Sequence, residues 1–249
     1  MNARVMQPYL LIFGLGYCGA AIGAAAVARG WTVGGTLRDA TRAPPAGITR
    51  VAVDAALDRA THLLMTAPPD GDGDPLLTQH SAAIAQAANL RWIGYLSTTG
   101  VYGDRGGGWV DEASLPAPGS ERTRRRVAAE GAWARFADRR AVDIFRLAGI
   151  YGPGRSAFDD LRASTARRVI KPGHAFGRIH RDDIVAAVRK KFPGANIELV
   201  KGNNPMPYPE SRLSSDFSRA KEQLGYEPEF PIERAVEDYG VTLKKLENL

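Results

Sequence analysis

Short apolar segments alternate along the chain with longer segments whose apolar residues recur at helical spacing. The apolar run at residues 9–13 is bounded by glycine, which is typical of a buried strand in a parallel sheet. Regular alternation of such strands with helices predicts an α/β protein with a doubly wound parallel sheet. The further predicted strands are 32–37, 48–53, 62–66 and 91–96, and the predicted helices are 20–28, 76–88 and 121–136.

A glycine-rich turn joins the first strand to the first helix, with the sequence Gly14-Leu15-Gly16-Tyr17-Cys18-Gly19. In a dinucleotide-binding turn the first glycine permits the sharp bend, the second lets the backbone approach a pyrophosphate, and the third lets the helix pack on the strand. The helix N-terminus presents its amides and positive dipole end to the phosphates. Because the motif stands between a strand and a helix, it predicts a Rossmann-type domain in which these six residues line the dinucleotide.

The end of the second strand bears on which dinucleotide is bound. A dinucleotide fold commonly has an acidic residue there for the ribose hydroxyls, whereas an arginine pairs with a 2′-phosphate. Here the segment reads Thr36-Leu37-Arg38-Asp39. Arg38 favours NADP, and Asp39 keeps NAD as the alternative. Asp54 follows the third predicted strand and is expected at the same ligand-facing edge of the sheet.

Composition narrows the possible classes of function. The chain has 249 residues, a formal net charge of +6 and one cysteine. A single cysteine excludes an internal disulfide framework and fits a reducing cytoplasm, and no apolar run is long enough for a membrane span. The positive charge suits anionic ligands, but neither zinc-finger spacing nor an aromatic-interleaved basic stripe indicates nucleic acid. The acidic loop at residues 70–75 lacks the spaced glutamate of a calcium site, so no metal is expected.

Lysine is confined to the C-terminal part of the chain. All seven lysines lie at or after Lys171, and arginine alone carries the positive charge before it. We therefore expect a dinucleotide-binding domain at residues 1–170 and a small, partly interleaved C-terminal α/β lobe at 171–249. The change also raises the hypothesis that the chain is a chimera with a recombined tail; chance and a solvated charged face are the simpler explanation.

Three segments besides the glycine turn are distinctive: 96–104, which contains Ser97-Thr98-Thr99-Gly100-Val101-Tyr102-Gly103, together with 146–154 and 178–184. Together, these four segments resemble the extended short-chain dehydrogenase/reductase superfamily, the NAD-dependent epimerase/dehydratase group. The glycine turn and the segment 96–104 resemble its atypical bacterial branch. The resemblance covers about residues 9 to 190. It implies a homodimer through helices 76–88 and 121–136, and a small lobe over the nicotinamide end.

The resemblance also implies cofactor contacts at the carboxyl ends of further strands. These residues are Thr66, Ala67, Pro68, Ser97 and Pro153. In the C-terminal part we expect helices at 159–165 and 182–189, a strand at 197–200, a loop at 202–209 and a final helix at 232–246. Residues 217–228 resemble the C-terminal segment of sugar-nucleotide epimerases.

The catalytic pair of this superfamily is missing from the chain. Its oxidoreductases use a Ser or Thr, a Tyr, and a Lys four residues after that Tyr. Thr98 matches the first of these, but the register set by residues 128–130 places Arg122 at the Tyr position and Arg126 at the Lys position. A guanidinium stays protonated and does not replace the phenol in proton transfer. We expect Arg126 to anchor ribose hydroxyls or a phosphate, and Arg122 to meet the substrate.

Two tyrosines and one histidine are the remaining candidates at the nicotinamide end. Tyr102 lies close to Thr98 and is the better candidate for proton transfer, although packing over the cofactor explains it more simply. Tyr151 is expected in the loop after the sixth strand, at the edge of the substrate site. His180 is expected to be structural, with a lesser role in lining the substrate cleft.

These observations favour a cytoplasmic NAD(P)-binding protein of the epimerase/dehydratase type. It would act as an oxidoreductase or isomerase on a sugar nucleotide or a small carbonyl compound. The alternative from another class is a non-catalytic NADP-binding sensor or regulator. The absent Tyr and Lys favour the sensor, whereas Thr98 and the intact loop at residues 101–103 favour the enzyme.

Overall fold

The computed structural model describes residues 7–166 and 177–191 of the chain. The chain divides into two compact units, Met1–Gly103 with Pro116–Leu147, and Asp104–Leu115 with Ala148–Leu249. The predicted boundary between residues 170 and 171 lies outside the described residues and stays a prediction.

A six-stranded parallel sheet forms the centre of the first unit. Its strands are β1 (Tyr9–Phe13), β2 (Thr32–Gly35), β3 (Thr49–Arg50), β4 (His62–Met65), β5 (Trp92–Thr98) and β6 (Ala141–Leu147). They are arranged in the order β3-β2-β1-β4-β5-β6, and Leu10 of β1 lies opposite Val33 on one side and His62 on the other. The order reverses between β1 and β4, and ligands of such sheets bind beyond the carboxyl ends of the strands at that point. The predicted fold class is therefore confirmed.

Four helices and one 3₁₀ turn connect these strands. They are α1 (Tyr17–Val27), α2 (Val53–Leu57), α3 (Pro75–Gln86), α4 (Glu121–Ala134) and the 3₁₀ turn Thr99–Tyr102. The start of α3 is fixed by Asp74, whose Oδ1 accepts from the backbone N–H groups of Leu76 and Leu77. Ser120 and Thr123 cap α4 reciprocally through their side chains and backbone amides.

The core of the first unit packs beneath α3 and α4. Leu11, Leu63 and Ile93 on neighbouring strands have almost no exposed surface, which matches the apolar runs in the sequence. Trp133 of α4 is fully buried, and its Nε1–H donates to Asp74 Oδ2 over 2.9 Å. The indole therefore supplies both packing and the partner of a buried carboxylate.

The third strand is shorter than predicted. It contains only Thr49 and Arg50, whereas the sequence pattern indicated residues 48–53. Both residues are exposed at the sheet edge, and Val53 already begins α2. Asp54 therefore lies in the first turn of a helix and does not directly follow a strand, whereas its place at the ligand-facing edge stays a prediction.

The second unit contains a separate small sheet. Its parallel strands β7 (Gly149–Tyr151) and β8 (Arg178–His180) pair with Tyr151 opposite His180. Helices α5 (Ala157–Arg162) and α6 (Arg181–Lys190) belong to the same unit. Tyr151 thus lies on a strand, which corrects its predicted placement in a loop. The pairing with residues from β8, distant in sequence, explains why the local pattern did not reveal this strand.

Several predicted elements of the C-terminal part lie outside the described residues. They are the strand at 197–200, the loop at 202–209, the epimerase-like segment at 217–228 and the helix at 232–246. The compositional change at Lys171 lies there as well. In the part of the chain that the structure describes, no helix has the length and apolar character needed to cross a membrane.

Candidate functional site

The glycine turn after β1 is held by the segments that follow β2 and β4. Gly14 has a φ of +99°, and its N–H donates to Thr36 Oγ1 over 3.0 Å. The backbone N–H of Leu15 donates to Thr36 O over 2.8 Å. Thr66 donates its hydroxyl to Phe13 O and to Gly14 O. The turn is therefore fixed before any ligand arrives.

The three glycines of the turn differ in what the protein requires of them. A Cβ on Gly14 would lie 2.8 Å from Thr66 Oγ1, and one on Gly19 would clash with Gly14 O. Gly16 has φ −80° and ψ −161°, which any residue adopts, and a Cβ there would have nothing within 4 Å. Internal packing thus explains Gly14 and Gly19 but leaves Gly16 unexplained, and the space over Gly16 is open.

The start of α1 provides a favourable environment for an anion. Gly16 is the N-cap, no side chain caps the helix, and its first turn has no acidic residue. The amides and the positive end of the dipole there favour a negatively charged group. Tyr17 is half-buried and Cys18 is buried. Together with the open space over Gly16, these features of the α1 N-terminus fit a dinucleotide pyrophosphate.

Leu15 and Thr66 support the turn from within the protein. The Leu15 side chain is buried and packs against Gly35. A Cβ on Gly35 would lie only 2.6 Å from Cδ1 of Leu15. Thr66 uses its hydroxyl hydrogen on the backbone of the turn, and Ala67 and Pro68 follow it at the carboxyl end of β4. A role of these side chains toward a cofactor stays a prediction.

Arg38 and Asp39, the two residues after β2 that were predicted to determine the choice between NADP and NAD, differ in their contacts. Arg38 is exposed and makes no hydrogen bond or ion pair within the described part of the chain. Asp39 Oδ1 accepts from the N–H of Thr41 over 2.8 Å and from its hydroxyl over 2.7 Å. These hydrogen bonds hold the pKa of Asp39 below its usual value. Arg38 is therefore the available side chain, whereas Asp39 already organises its own loop.

Asp54 has a protein partner that the sequence pattern did not indicate. Its Oδ1 lies 2.6 Å from Nδ1 of His80 on α3. The contact joins α2 to α3, and the Asp54 side chain is 71% exposed. The pairing gives Asp54 a structural contact between the two helices, and a role toward a cofactor stays a prediction.

The carboxyl end of β5 carries the predicted Ser and Thr residues. Ser97 is buried, and its Oγ lies 2.5 Å from Glu130 Oε1. Thr98 is half-buried and caps the 3₁₀ turn, since its Oγ1 accepts from the N–H of Gly100 over 3.1 Å. Tyr102 ends the turn and is only 6% exposed. Ser97 therefore faces α4, while Thr98 shapes the turn.

Glu130 and Arg146 form a charged pair that sequence reasoning missed. Arg146 Nη2 donates to Glu130 Oε2 over 2.8 Å, and Nε lies 3.2 and 3.1 Å from the two carboxylate oxygens. Hydrogen bonds to Glu130 and then to Tyr102 raise the pKa of Arg146. Arg146 begins the distinctive segment 146–154, and Glu130 belongs to residues 128–130, which set the helix register, so both residues could be singled out from the sequence. Their contact could not, because β6 and α4 meet only in the fold.

Arg122 and Arg126, one helical turn apart on α4, have different surroundings. The Nη1 of Arg126 donates to Tyr95 Oη over 3.1 Å and to Leu96 O over 2.8 Å. Arg122 is exposed and has no hydrogen bond or ion pair within the described residues. Glu121 pairs with Arg124 and Arg125, which accounts for the other two cations of this turn. The basic turn thus contains one cation directed into the protein and one available to a ligand.

The remaining predicted residues belong to the second unit. His180 is buried, caps α6 by accepting from the N–H of Asp182 over 3.3 Å, and lies edge-on to Tyr151 at 5.2 Å between ring centroids. The cap agrees with the structural role predicted for His180. Pro153 follows β7 and is half-buried. Roles of these three residues toward a cofactor or substrate stay predictions. Within the described ranges, no group of three or more His, Cys, Asp or Glu residues is placed to hold a metal ion.

Comparison with known proteins places the chain in a family. No family model matches the chain. A structure from Silicibacter pomeroyi DSS, of a conserved protein of unknown function, is 33% identical, and the match covers 95% of this chain and 99% of that one with a TM-score of 0.79. The chain belongs to the family of that protein. Protein YeeZ of Escherichia coli K12 is 29% identical over 198 residues, which are 71% of this chain and 70% of YeeZ.

Structures with assigned activities share the fold of this family. TunA, an NAD-dependent NDP-hexosamine 5,6-dehydratase, has a TM-score of 0.68 at 17% identity, and the match covers 93% of this chain and 96% of TunA. UDP-sugar epimerases share the fold too, and other neighbours are complexes of UDP-glucose or UDP-glucuronic acid with NAD. All of these neighbours are below 25% identical, and they show that the chain has the fold of NAD-dependent epimerases and dehydratases.

Proposed function

We propose that the protein binds NADP, with NAD as the alternative, at the glycine turn between β1 and α1. The main support for the proposal is that the structure itself does not require a glycine at position 16. The backbone of Gly16 is extended and its Cβ position is open, so the fold accepts larger residues there. Close approach of a pyrophosphate explains a glycine at this position, whereas internal packing does not.

The residues that would hold the dinucleotide lie along the carboxyl edge of the sheet. The backbone from Gly14 to Gly19 and the α1 N-terminus would contact the pyrophosphate, and Arg38 would contact a 2′-phosphate. Thr66 holds the turn in shape. When bound, a nicotinamide dinucleotide supplies reversible hydride transfer. TunA is NAD-dependent, which supports this class of cofactor.

The preference for NADP is based on the different states of Arg38 and Asp39. Arg38 has no partner among the described residues, whereas Asp39 is engaged by Thr41. A guanidinium forms two parallel hydrogen bonds with a phosphate, and such charge-assisted bonds are about twice as strong as neutral ones. We therefore expect the 2′-phosphate to add affinity through Arg38.

The proposed substrate is a sugar nucleotide or a small carbonyl compound, transformed by an oxidoreductase or isomerase. TunA acts on an NDP-hexosamine, which supports the first class. Arg122 would bind an anionic part of the substrate, because it is exposed at the start of α4 and has no ion-pair partner in residues 7–166 and 177–191. Thr98 and Tyr102 would supply the hydroxyl groups near the reacting atoms, with Tyr102 giving or taking the proton at its Oη.

The proton-transfer role of Tyr102 has a direct test. With a substrate in hand, Tyr102→Phe removes the hydroxyl and keeps the ring against Arg146. We expect a fall in kcat of about a hundredfold, the lower end of the range for a general acid. Unchanged turnover in a folded, cofactor-binding Tyr102→Phe protein would end this assignment.

A non-catalytic NADP sensor is the second candidate. Arginine occupies both positions 122 and 126, and the Arg126 guanidinium is directed to Tyr95 and Leu96. Neither side chain replaces a phenol in proton transfer, which favours the sensor. Steady consumption of NADPH with a sugar nucleotide or small carbonyl would support the enzyme, whereas tight binding without turnover across such a panel would support the sensor.

A homodimer and a cytoplasmic location complete the proposal. The superfamily resemblance suggests that α3 and α4 form the dimer interface, and analytical ultracentrifugation would test the oligomeric state. The single cysteine, Cys18, is buried in the glycine turn, which is compatible with a reducing compartment. Cell fractionation would test the location.

Calorimetric titration of wild-type protein and Arg38→Gln with NADPH and NADH tests the cofactor assignment. We expect the wild type to bind NADPH at least about tenfold more tightly than NADH, which corresponds to about 1.4 kcal/mol. Arg38→Gln should remove most of that difference and leave NADH binding within about twofold of wild type. Equal affinities of the wild type for the two dinucleotides would replace NADP by NAD.

A further inference from the structure

A cluster of four side chains lies beside the turn after β5. It consists of Ser97, Tyr102, Glu130 and Arg146, and is called here the Arg146 cluster. Its members come from β5, the 3₁₀ turn, α4 and β6. Three of them are at least nine-tenths buried, and the Arg146 side chain is 20% exposed. The cluster therefore joins the 3₁₀ turn to β5, α4 and β6.

The polar groups of the cluster satisfy one another. The Glu130 carboxylate lies between the Ser97 hydroxyl, 2.5 Å away, and the fork of Arg146, 2.8 Å away at the shortest contact. A bidentate guanidinium–carboxylate pair fixes both the distance and the plane of the arginine. Arg146 is therefore held in one orientation by Glu130.

The fixed guanidinium lies against Tyr102. Its Cζ is 4.9 Å from the centroid of the Tyr102 ring, a distance at which a cation and a ring face attract one another. The backbone on either side of Tyr102 is also confined. Thr98 caps the 3₁₀ turn, and the N–H of Ala117 donates to Val101 O over 2.9 Å. The Tyr102 ring thus lies against a guanidinium whose own orientation is fixed.

The arginines of α4 do not provide this contact. Arg126 is directed to Tyr95 and Leu96, and Arg124 and Arg125 pair with Glu121. The fixed cation beside the turn comes from β6. Since the turn follows β5 at the carboxyl edge of the sheet, it faces the region where ligands of this fold bind.

We infer that Arg146, oriented by Glu130, is a positioning residue that places Tyr102 and the Thr98 turn against the nicotinamide end of the bound dinucleotide. This inference rests on the proposed function. It assigns to the chain a fixed cation beside the Thr98 turn that comes from β6, whereas the lysine of the resembling superfamily would come from α4. Arg146 acts through Tyr102 and is not itself a group that transfers a proton.

Binding of two ligands distinguishes a role of Arg146 in positioning Tyr102 from a role in stabilising the fold. NADPH carries the nicotinamide, whose fluorescence reports its surroundings, whereas 2′,5′-ADP carries only the adenine half with its phosphates. The variants are Arg146→Lys, which keeps the charge and loses the planar fork, and Tyr102→Phe, which keeps the ion pair. Trp133→Phe is the matched control, because it removes a buried hydrogen bond on α4 to Asp74, outside the cluster.

We expect Arg146→Lys and Tyr102→Phe to bind 2′,5′-ADP within about twofold of wild type, since the adenine half lies elsewhere. Both should bind NADPH about fivefold more weakly and lose most of the nicotinamide emission gained on binding, because one ordered contact is displaced. Trp133→Phe should unfold at a lower temperature but keep the wild-type emission. If Arg146→Lys does not fold, Glu130→Gln tests the inference with the same expected results, because it keeps the side-chain size and removes the charge that orients Arg146.

Two outcomes would overturn the inference, and they are distinguishable. If the variants keep the wild-type emission and NADPH affinity and only their melting temperatures fall, the cluster stabilises the fold and positions nothing. If the wild type itself binds neither NADPH nor 2′,5′-ADP, the proposed function fails and this inference fails with it.

Discussion

The substitution Gly16→Ala is expected to change ligand binding much more than it changes the stability of the fold. The residue has φ −80° and ψ −161°, which alanine adopts without strain, and its Cβ would meet nothing within 4 Å. Alanine is a poorer N-cap than glycine, which costs up to about 1 kcal/mol, and it lowers the entropy of the unfolded chain, which returns about 0.4–1 kcal/mol. We therefore expect the free energy of unfolding to change by less than about 1 kcal/mol.

The same methyl group has a large expected effect on binding. It would occupy the open space over the turn, where a pyrophosphate must come close to the backbone. We expect at least about a tenfold loss of NADPH affinity, equivalent to about 1.4 kcal/mol. Titration by nicotinamide fluorescence, paired with urea unfolding of the same samples, measures both quantities.

Gly131→Ala is the matched control for this experiment. Gly131 is an exposed residue inside α4, and a Cβ there also meets nothing within 4 Å. The exchange should stabilise the helix by up to about 1 kcal/mol and leave NADPH affinity unchanged. If folded Gly16→Ala bound NADPH as tightly as wild type, close approach of a pyrophosphate would not explain this glycine. If Gly16→Ala lost more than about 3 kcal/mol of stability, the range of strained or overpacked sites, the fold itself would require the glycine.

Three further predictions concern the scaffold. Gly19→Ala should be strongly destabilising, by about 1–3 kcal/mol in urea unfolding, because its Cβ would clash with the carbonyl of Gly14. Burial, and secondarily Arg91, lowers the pKa of His62 from 6.5 to about 4, so the fold favours its neutral form. The unfolded chain then binds more protons between those pH values, and stability should fall by up to about 3 kcal/mol from pH 6.5 to pH 4, a slope that His62→Gln should abolish. Trp133→Phe should cost about 1–3 kcal/mol, because Asp74 loses its buried indole donor; calorimetry checks the loss of stability, and an unchanged melting temperature would contradict it.

The parts of the fold that follow a local period were predictable from the sequence. The strand at residues 9–13, its glycine turn and the α4 start at Glu121 agree with the structure. Buried parallel strands are continuous apolar runs, and caps are local, so nearby residues determine both. The strand at 48–53 was overextended, because an exposed edge strand has no apolar period and α2 begins at Val53.

The side-chain partners that define the site were much less predictable. Asp54 pairs with His80, which is 26 residues away in the sequence, and no local pattern indicates this partner. The pair of Glu130 and Arg146 likewise joins two elements that only tertiary packing brings together. Both residues of that pair were visible in the sequence, yet no local spacing connects a position on a helix with one on the following strand.

Binding of a nicotinamide dinucleotide at the turn containing Gly16 underlies every functional proposal made for this protein. The most direct measurement is a titration of the wild-type protein with NADPH and with NADH, following tryptophan quenching and nicotinamide emission together. We expect saturable binding, with NADPH bound more tightly than NADH. A folded protein that binds neither dinucleotide would contradict it, since the open turn would then serve no dinucleotide ligand.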